Sequence, residues 1–550
     1  MSALQLYFKD KFLYDLKAGF ITAVVALPLA IAFAIASGVH PIMGIYTAII
    51  AGILGSTLGG SSFSITGPTG AMTVIILSTV NKFGVEGLLI AGFLAGVIQI
   101  VLGAIRLGRF VQFIPFPIVS GFTAGIGVII FIGQIANSLG IVVASKEHIW
   151  ELVWEIIQNI PHANLLAISI TLLTILSLVF LPKILPKIKY LKNVPPSIIP
   201  LLLATAAAFF FHLSIPQVGD IPSGLPSFKM LNINLKLIMA VLPAAFTIAL
   251  LGAIEALLCA VVCDGMTNTK HKSDKELISQ GVCNTLLPFL GGIPCTAAIA
   301  RSAVNIREGA KTRMAGIIHG IILLLVLLFL SPVAQYIPKA FLAGVLMFVA
   351  VKMINIHEFK TIIKISRAET IVLFITFGMT IFTDLVLAVE VGMVLAIFLL
   401  FIRLSNIIDI SSMEDYKDHT GINAMVFSNP TLKDVVSVYT LHGPFFFGAM
   451  NLFDKKAKEH MGNGKPVMIL RMKYVPFIDS TGLIRLNDFI KEKQKNKMVV
   501  MLTDMSPAVH KTLKENSEFK HLMKNEYIFE KTKEALHYVE NNLHSILLLR

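Results

Sequence analysis

The sequence predicts a polytopic α-helical membrane protein that carries a small α/β domain at its C-terminal end. Of its 550 residues, 55% are hydrophobic and only 14% are charged, and the mean hydropathy is +0.78, which is far above the range of soluble domains. Apolar runs long enough to span a bilayer continue as far as Ile402. Beyond residue 430 the sequence becomes charged and mixed, which indicates a soluble domain.

The apolar runs predict about fourteen membrane segments, two of which are too short to cross the bilayer fully. An even number of segments places both termini on the same side of the membrane. The segments are expected near 18–38, 42–58, 68–80, 87–105, 115–138, 164–181, 196–212, 239–263, 275–290, 295–306, 313–332, 338–354, 368–384 and 387–405.

Loop charge predicts the orientation of these segments. Basic residues cluster in the loops of one side, for example Lys270, Lys272 and Lys275, whereas a loop of the other side holds Glu151 and Glu155. The positive-inside rule therefore predicts that both termini are cytoplasmic and that the protein is a multi-pass protein of the cytoplasmic (inner) membrane. These loops also explain the formal charge of +13 better than a nucleic-acid partner does, and no signal peptide is evident.

The segments fall into two halves, 18–212 and 239–405, with seven segments each. Because seven is odd, the second half must be inverted relative to the first, and a 7+7 inverted repeat is predicted. The expected domains are a cytoplasmic N-terminal segment (1–17), a membrane domain (18–410), a linker (411–430) and a C-terminal domain (431–550).

A short polar break occupies the third place in each half. The first break, Ser64–Ala71, reads SITGPTGA, and the second, Gly291–Ala298, reads GGIPCTAA. Pro68 and Pro294 are expected in the first turn of a short helix, where the missing N–H is no loss. Two helix starts that face each other near the bilayer midplane would gather free N–H groups, which suit an anion. The alternative is a pair of unrelated loops, but the matching order and a Gly-Gly pair before each proline favour a shared site.

The C-terminal region alternates between strand and helix patterns. Strands are predicted at Val435–Leu441, Pro466–Arg471 and Met498–Thr503, and helices at Leu452–His460, Thr481–Lys493 and Ser506–Asn516. Alternating elements of this size are typical of helices packed on a sheet.

Several stretches, taken together and in this order, resemble the SulP family of anion transporters. They are Ala26–Phe33 (ALPLAIAF), Thr66–Pro68 (TGP), Leu251–Glu255 (LGAIE) and Arg301–Asn305 (RSAVN), and Val475–Gly482 (VPFIDSTG) resembles a STAS domain. The resemblance covers nearly the whole chain. It implies a secondary active transporter rather than an enzyme, with a core domain that moves against a gate domain, a cytoplasmic STAS domain and a homodimeric assembly.

The expected anion site combines both breaks. Small residues let backbone N–H groups approach a ligand, and threonine hydroxyls add donors, so we expect the anion between Thr69, Gly70 and Ala71 on one side and Thr296, Ala297 and Ala298 on the other. The resemblance adds Phe33 as an aromatic wall and Arg301 as a source of positive field. The alternatives are that Phe33 is a packing residue, and that Arg301 neutralises a carboxylate or reaches the cytoplasm.

Glu255 is the candidate coupling residue, because a carboxyl group inside an apolar membrane segment is costly and is a functional candidate by default. Such a group can hold and release a proton near neutral pH. In sodium-coupled relatives an aspartate stands here with a threonine one turn later, whereas this chain has Glu255 and Cys259. A thiol is a poor ligand for a hard cation, so proton coupling is predicted over Na⁺ coupling. A structural glutamate, an uncoupled channel and a ligand sensor are the alternatives.

The remaining motifs are weaker. The four cysteines form no Cys-x-x-Cys pair and are expected to be packing residues, and neither a metal nor an organic cofactor is predicted. Ser480 lies in the STAS-like turn Asp479–Gly482, where the resemblance allows phosphorylation and helix capping is the favoured alternative. The residues do not choose among sulfate, bicarbonate and dicarboxylates such as fumarate.

Overall fold

The structure is a computed structural model that describes residues 7–8, 10–108, 115–143, 149–188, 194–231, 234–383, 385–412, 426, 429–461, 465–515, 519 and 527–548. The chain divides into two compact units, Met1–Val394 and Leu395–Arg550.

The first half of the membrane region consists of apolar helices joined by short loops. Its elements are α1 (Phe12–Ala36), α2 (Pro41–Leu58), β1 (Thr66–Gly67), α3 (Gly70–Ala104), α4 (Phe116–Gly133), α5 (Ile135–Leu139), α6 (Ile149–Asn159), α7 (Leu165–Ile184) and α8 (Ile198–Phe210). Helix α3 is interrupted at Gly84, whose φ of +70° is available to glycine without strain. Two predicted segments therefore share this helix.

The second half repeats the same order of elements. They are α9 (Leu235–Thr267), α10 (Ser273–Leu286), β2 (Thr296–Ala297), α11 (Ile299–Arg307), α12 (Met314–Ala334), α13 (Lys339–Met353), α14 (Ile356–Ile365), α15 (Arg367–Phe382) and α16 (Leu385–Ser405). In the part of the chain that the structure describes, nine helices are long and apolar enough to cross a membrane. Shorter helices such as α8 and α11 supply the other segments, so every predicted segment coincides with helical structure.

The helices of the first unit pack into two groups. Helices α1, α2 and α12 pack together, and α3 packs against α9 and α10. The short helix α11 lies between α9 and α1 and joins them into one group, here called the core group. Helix α4 packs against α13 and α15, and α13 also packs against α7, which forms the second or gate group. Each half contributes its first four segments to the core group, as a 7+7 inverted repeat requires.

The second unit contains a five-stranded sheet. Its strands β3 (Asp409–Ser412), β4 (Val436–His442), β5 (Val467–Tyr474), β6 (Val499–Thr503) and β7 (Ile528–Phe529) lie in chain order, with β3 antiparallel to β4 and all other pairs parallel. The helices are α17 (Pro430–Val435), α18 (Met450–His460), α19 (Ser480–Lys495), α20 (Pro507–Glu515), α21 (Thr532–Asn541) and α22 (Leu543–Leu548). Residues of β5 from Val467 to Leu470 are fully buried, as expected for a parallel strand covered on both faces.

The predicted strands and helices of this unit are confirmed, with bounds that shift by one to three residues. The edge strand β3 and the short strand β7 were not predicted, because strands of four and two residues give too little alternation to be recognised. Strand β3, which pairs with β4, consists of residues that were expected in the membrane domain (409–410) and in the linker (411–412). The sheet therefore begins at Asp409, before the expected linker at 411–430.

Candidate functional site

The two polar breaks meet in a short β-ladder at the centre of the core group. Thr66 pairs with Ala297 and Gly67 with Thr296, in antiparallel register. The N–H of Ala298 extends the ladder by donating to the carbonyl of Ile65 at 2.9 Å. Since the strands are antiparallel, the helices that follow them, α3 and α11, leave the ladder in opposite directions. The positive end of each helix dipole is therefore directed toward the ladder.

Unpaired N–H groups lie at both helix starts. Within the described residues, no acceptor is present for the N–H groups of Gly70 and Ala71 at the start of α3, or for those of Ile299 and Ala300 at the start of α11. The cap of α3 is Thr69, whose hydroxyl accepts from the N–H of Met72 at 3.4 Å. The first turns of the two helices thus offer donors to a ligand at the ladder.

The positions of the prolines differ from the prediction. Helix α3 begins at Gly70, two residues after Pro68, and α11 begins at Ile299, five residues after Pro294. Pro68 and Pro294 were both expected in the first helical turn. The ladder is the physical reason at Pro294, because Thr296 and Ala297 pair in extended structure before the helix begins. At Pro68 the strand ends just before the proline, and the extended residue Thr69 caps the helix that follows.

The second break also presents its donors later in the sequence than expected. Thr296 and Ala297 pair with β1, and the N–H of Ala298 is bonded to Ile65. The hydroxyl of Thr296 is buried and donates to the carbonyl of Gly252 at 2.8 Å. These three residues, which were expected to supply free donors, therefore form the base of the site, and the free N–H groups belong to the residues that follow them.

Glu255 lies beside the start of α3. Its Oε2 accepts a hydrogen bond of 2.9 Å from the hydroxyl of Thr69, the residue that caps α3. Glu255 is located on α9, which packs along both α3 and α11. The structure therefore brings together the two residues that the sequence analysis assigned to the proton and the anion. The Thr69 hydroxyl, expected as a donor to the anion, is committed to the carboxylate while that group is ionised.

Arg301 lies against Gly67 and Pro68 of the first break and is 1% exposed. Its Nη2 donates to the carbonyl of Pro68 at 2.8 Å, while Nε and Nη1 have no hydrogen-bond partner in the part of the chain that is described. No ion pair joins it to Glu255 or to another described carboxylate. Arg301 therefore does not reach the cytoplasm, and its charge lies beside the helix starts, where it attracts the Glu255 carboxylate without forming an ion pair with it.

Gly67 is required for this approach of the guanidinium group. A Cβ atom at this position would lie 2.6 Å from Nη1 of Arg301, which is far inside van der Waals contact. Gly70 has a similar role at the outer edge of the site. A Cβ there would lie 3.3 Å from Phe33 and 3.2 Å from Ile130 of α4.

Phe33 thus lies at the boundary between the core and gate groups, beside the first turn of α3. It is 6% exposed and belongs to the main apolar cluster of the unit. Ala71 in the same turn is also buried. The structure brings both residues to the helix start at which the sequence analysis placed the anion, and it gives Phe33 a packing role as well.

Cys259 lies one turn after Glu255, close to Ser302 of α11 and Ser64 of the first break. Its Sγ is 3.2 Å from the hydroxyl of Ser302, which also donates to the carbonyl of Ala298 and accepts from the N–H of Ile65. All four cysteines are buried and unpaired. Among the described residues, no cluster of His, Cys, Asp and Glu side chains could hold a metal ion.

A second buried carboxylate, which the sequence analysis missed, accepts hydrogen bonds from the backbone just before the first break. Oε2 of Glu276 in α10 accepts from the N–H groups of Gly60 at 2.7 Å and Ser61 at 2.9 Å. Gln280, one turn later, donates to Thr66 at 3.0 Å and to Oε1 of Glu276 at 3.2 Å. Polar residues within a segment predicted to be apolar were the available signal.

An amide pair holds the second break in the same way. Asn284 of α10 donates to the carbonyl of Cys295 at 3.0 Å and accepts from the N–H of Cys295 at 2.8 Å. Its Nδ2 also donates to Gln99 of α3 at 2.9 Å, and Gln99 in turn donates to the carbonyl of Ala249 at 3.1 Å. Helix α10 therefore positions both breaks through a row of buried, hydrogen-bonded polar side chains.

Ser480 lies in the second unit at the first position of α19, and its side chain is exposed. The helix is capped by Asp479, whose Oδ1 accepts from the N–H of Gly482 at 2.7 Å. Oδ2 of Asp479 accepts from the N–H of Phe447 at 3.1 Å. The capping function of this turn is therefore supplied by Asp479.

Comparison with known proteins places both units in described families. Residues 12–376 match the sulfate permease family, and residues 429–535 match the STAS domain. The chain is 37% identical over 516 residues to the putative sulfate transporter YvdB of Bacillus subtilis, covering 92% of this chain and 94% of that protein. It is 30% identical over 529 residues to the bicarbonate transporter BicA of Picosynechococcus, covering 92% of this chain and 91% of that protein.

Solved structures agree with this assignment. The murine Solute Carrier 26 family member A9 anion transporter in its inward-facing state matches with a TM-score of 0.84 at 19% identity, over 97% of this chain and 92% of that chain. The transmembrane domain of the cyanobacterial bicarbonate transporter BicA matches with a TM-score of 0.61 at 31% identity, over 70% of this chain and 97% of that chain. The chain therefore belongs to the sulfate permease family of membrane transporters and carries a C-terminal STAS domain.

Proposed function

We propose that the protein carries a small anion, sulfate or bicarbonate in the first place and a dicarboxylate such as fumarate as a further candidate, together with a proton. The observation that carries this proposal is the hydrogen bond from Thr69 to Glu255 at the start of α3. It supports the proposal because Thr69 belongs to the expected anion site and the carboxyl group of Glu255 can accept a proton. The printed names of two relatives, a putative sulfate transporter and a bicarbonate transporter, support the class of substrate.

The geometry explains why a proton and an anion would bind together. Ionised Glu255 repels an anion at the helix starts and keeps the Thr69 hydroxyl directed toward itself. Protonation removes the negative charge and turns the carboxyl group into a donor, so the Thr69 hydroxyl becomes free to rotate toward the anion. Each ligand then raises the affinity for the other by the same factor, as linkage requires.

The anion would be held by hydrogen-bond donors and by a positive electrostatic potential. The free N–H groups of Gly70, Ala71, Ile299 and Ala300 supply hydrogen bonds. The two helix dipoles and the charge of Arg301 would supply positive potential without a rigid ion pair. Such a site suits several small oxyanions and releases them more readily than a direct salt bridge would.

Transport itself would use the boundary between the two helix groups. The start of α3 lies in the core group, yet it approaches Ile130 of α4 and Met353 of α13, which belong to the gate group. Movement of the core group along the gate group would expose the site to one side of the membrane and then to the other. We further infer that the protein is a homodimer of the cytoplasmic membrane with both termini in the cytoplasm, as the loop charge predicts.

Two other functions remain as candidates on the same site. In an uncoupled anion channel, Glu255 would only position Thr69. In a Na⁺-coupled bicarbonate symporter, Glu255 would ligate the cation. Cys259 weakens the second candidate, because a thiol stands where an oxygen ligand would be expected one turn after the carboxylate.

Uptake into proteoliposomes separates these functions. Radiolabelled sulfate, bicarbonate and fumarate are supplied to the full-length protein under an imposed pH gradient, a Na⁺ gradient or no gradient. Proton symport predicts accumulation above equilibrium only when the outside is more acidic than the inside. Accumulation driven by Na⁺ alone would support the Na⁺ symporter, and equilibration that no gradient enhances would support the channel.

A further inference from the structure

Apolar side chains from three helices contact the first residue of α3. A Cβ atom at Gly70 would lie 3.2 Å from Cδ1 of Ile130 in α4 and 3.5 Å from Sδ of Met353 in α13. Phe33 of α1 would be 3.3 Å away. Because Cα–Cβ bonds tilt toward the N-terminus of a helix, these side chains lie toward the end of α3 that carries its free N–H groups. An anion bound to those groups would therefore have apolar neighbours as well as donors.

Two of these side chains, Ile130 and Met353, belong to the gate group and are here called the gate wall. Their helices approach each other closely, since a Cβ atom at Gly127 would lie 2.8 Å from the carbonyl oxygen of Ala350 and 3.2 Å from Cβ of Met353. Ile130 is 5% exposed, and Met353 is half-buried. Neither side chain has a hydrogen-bond donor, so the gate wall gives an anion packing contact only.

The charges near the gate wall do not favour an anion either. Helix α13 ends at Met353, which places the negative end of its dipole at this contact. The neighbouring residue Lys352 is exposed, and its Nζ lies 4.3 Å from the centroid of the Phe348 ring, one turn earlier in the same helix. The ammonium group of Lys352 is therefore engaged along α13.

The donors and the positive charge belong to the core group. They are the free N–H groups of α3 and α11 and the guanidinium group of Arg301, which is the only buried lysine or arginine in the described part of the first unit. An anion with one negative charge can direct that charge toward this side. Sulfate carries charge on all its sides and a dicarboxylate at both its ends, so their second charge would be buried without donors, which is costly.

We propose that Ile130 and Met353 are specificity-determining residues that make the site favour a monovalent anion, such as bicarbonate, over sulfate and dicarboxylates. This inference rests on the proposed function, because it concerns the same anion site, and it narrows the class of substrate. The core group attracts negative charge in general, and the gate wall limits how much of it can be buried.

A pair of anions with nearly the same carbon skeleton isolates the effect of charge. Fumarate is divalent, and monomethyl fumarate is monovalent. Initial uptake of labelled bicarbonate, sulfate, fumarate and monomethyl fumarate is measured in proteoliposomes of the full-length protein with the outside more acidic, and uptake by protein-free liposomes is subtracted. We expect each monovalent anion to enter about tenfold or more faster than its divalent counterpart, the effect of leaving a charged group without one hydrogen bond.

Substitutions in the gate wall test the role of its two residues. Met353→Gln and Ile130→Thr introduce a donor, and Met353→Leu and Ile130→Val are the matched apolar controls. The donor should reduce the preference for monovalent anions about fivefold or more, whereas the apolar controls should retain it. Glu86→Gln, which alters an exposed acid further along α3, should also leave it unchanged.

The outcomes separate this inference from the proposed function. Divalent anions that enter the wild type as fast as monovalent ones, or a preference that persists in both Met353→Gln and Ile130→Thr, would overturn the role of the gate wall and leave anion transport intact. Failure of all four anions to enter would overturn the proposed function and this inference with it.

Discussion

The hydroxyl of Thr69 donates a hydrogen bond of 2.9 Å to Oε2 of Glu255. Thr69 also caps α3, so one side chain links the carboxyl group of α9 to the helix start that faces the β-ladder. A change in the protonation of Glu255 therefore acts directly on a donor of the predicted anion site. In a proton-coupled carrier, this contact would link the bound proton to the anion.

Removal of the Thr69 hydroxyl should weaken transport. In Thr69→Val the carboxylate loses a donor and α3 loses its cap, which together cost about 2 kcal/mol or more. We expect initial uptake of the labelled anion to fall about tenfold or more in proteoliposomes. Thr69→Ser keeps the hydroxyl and serves as the matched control, with uptake near that of the wild type. Equal loss in both variants would show that the hydroxyl is not the important group.

Gly67→Ala should displace Arg301. The new methyl group would lie 2.6 Å from Nη1 of the guanidinium, and relief of such an overlap costs of order 1–3 kcal/mol. Because the charge of Arg301 would move away from the helix starts, uptake should fall about tenfold while the protein remains folded in detergent. Gly378→Ala is the control, since a Cβ there meets no neighbour within 4 Å. An unchanged apparent KM for the anion in Gly67→Ala would contradict the role of Arg301.

Glu276→Ala should destabilise the membrane domain. The change leaves the N–H groups of Gly60 and Ser61 without their acceptor, and Gln280 loses one of its two contacts. We expect a loss of about 2–4 kcal/mol in the free energy of unfolding, measured as a lower Tm of the purified protein. Glu276→Gln retains one acceptor oxygen and should lie between Ala and the wild type. A Tm equal to that of Glu86→Gln would exclude this supporting role.

The second unit should become less stable as the pH falls below neutrality. Burial lowers the pKa of His442 from its ordinary value, while the nearby charge of Asp409 acts in the opposite direction. The unfolded chain therefore binds this proton more readily than the folded domain does. The stabilisation is fully present above the ordinary histidine pKa of about 6.5 and is lost as the pH falls through it toward the lower pKa of the folded state.

Hydrogen exchange of the full-length protein tests this dependence. Peptides that cover β4 should exchange faster at low pH, after correction for the intrinsic rate, because the His442 ring stacks on Tyr474 at 4.8 Å between ring centroids and contacts Ser411 at 3.1 Å. His442→Gln should reduce this pH dependence. A variant that keeps the full dependence would assign it to other groups.

The sequence was sufficient for the helix count, the repeat and the nature of the second unit, because each depends on long runs or on alternating elements. The contact between Glu255 and Thr69 was not predicted, because Glu255 lies in the first segment of its half, far along the chain from either break. The ladder could not be predicted from two-residue strands that pair between residues more than two hundred positions apart. For this reason the donors of the second break were assigned to Thr296–Ala298 instead of the following turn.

The long-range hydrogen bonds that hold the two breaks in place could not be predicted, for a different reason. Glu276, Gln280 and Asn284 read as the polar part of an otherwise apolar segment, and nothing local indicates that they face Gly60, Thr66 and Cys295. Contacts of this kind depend on the packing of α10 against α3 and α2. They are a property of the tertiary fold and leave no motif in the sequence.

The most direct test of proton coupling at Glu255 records proton and anion movement together. A pH-sensitive dye is enclosed in proteoliposomes, and the anion that gave the highest uptake is added outside without an imposed gradient. The wild type and Glu86→Gln are predicted to acidify the lumen as the labelled anion enters. Glu255→Gln is predicted to exchange labelled for unlabelled anion without acidification. Acidification by Glu255→Gln at the rate of the wild type would contradict the assignment of the proton to Glu255.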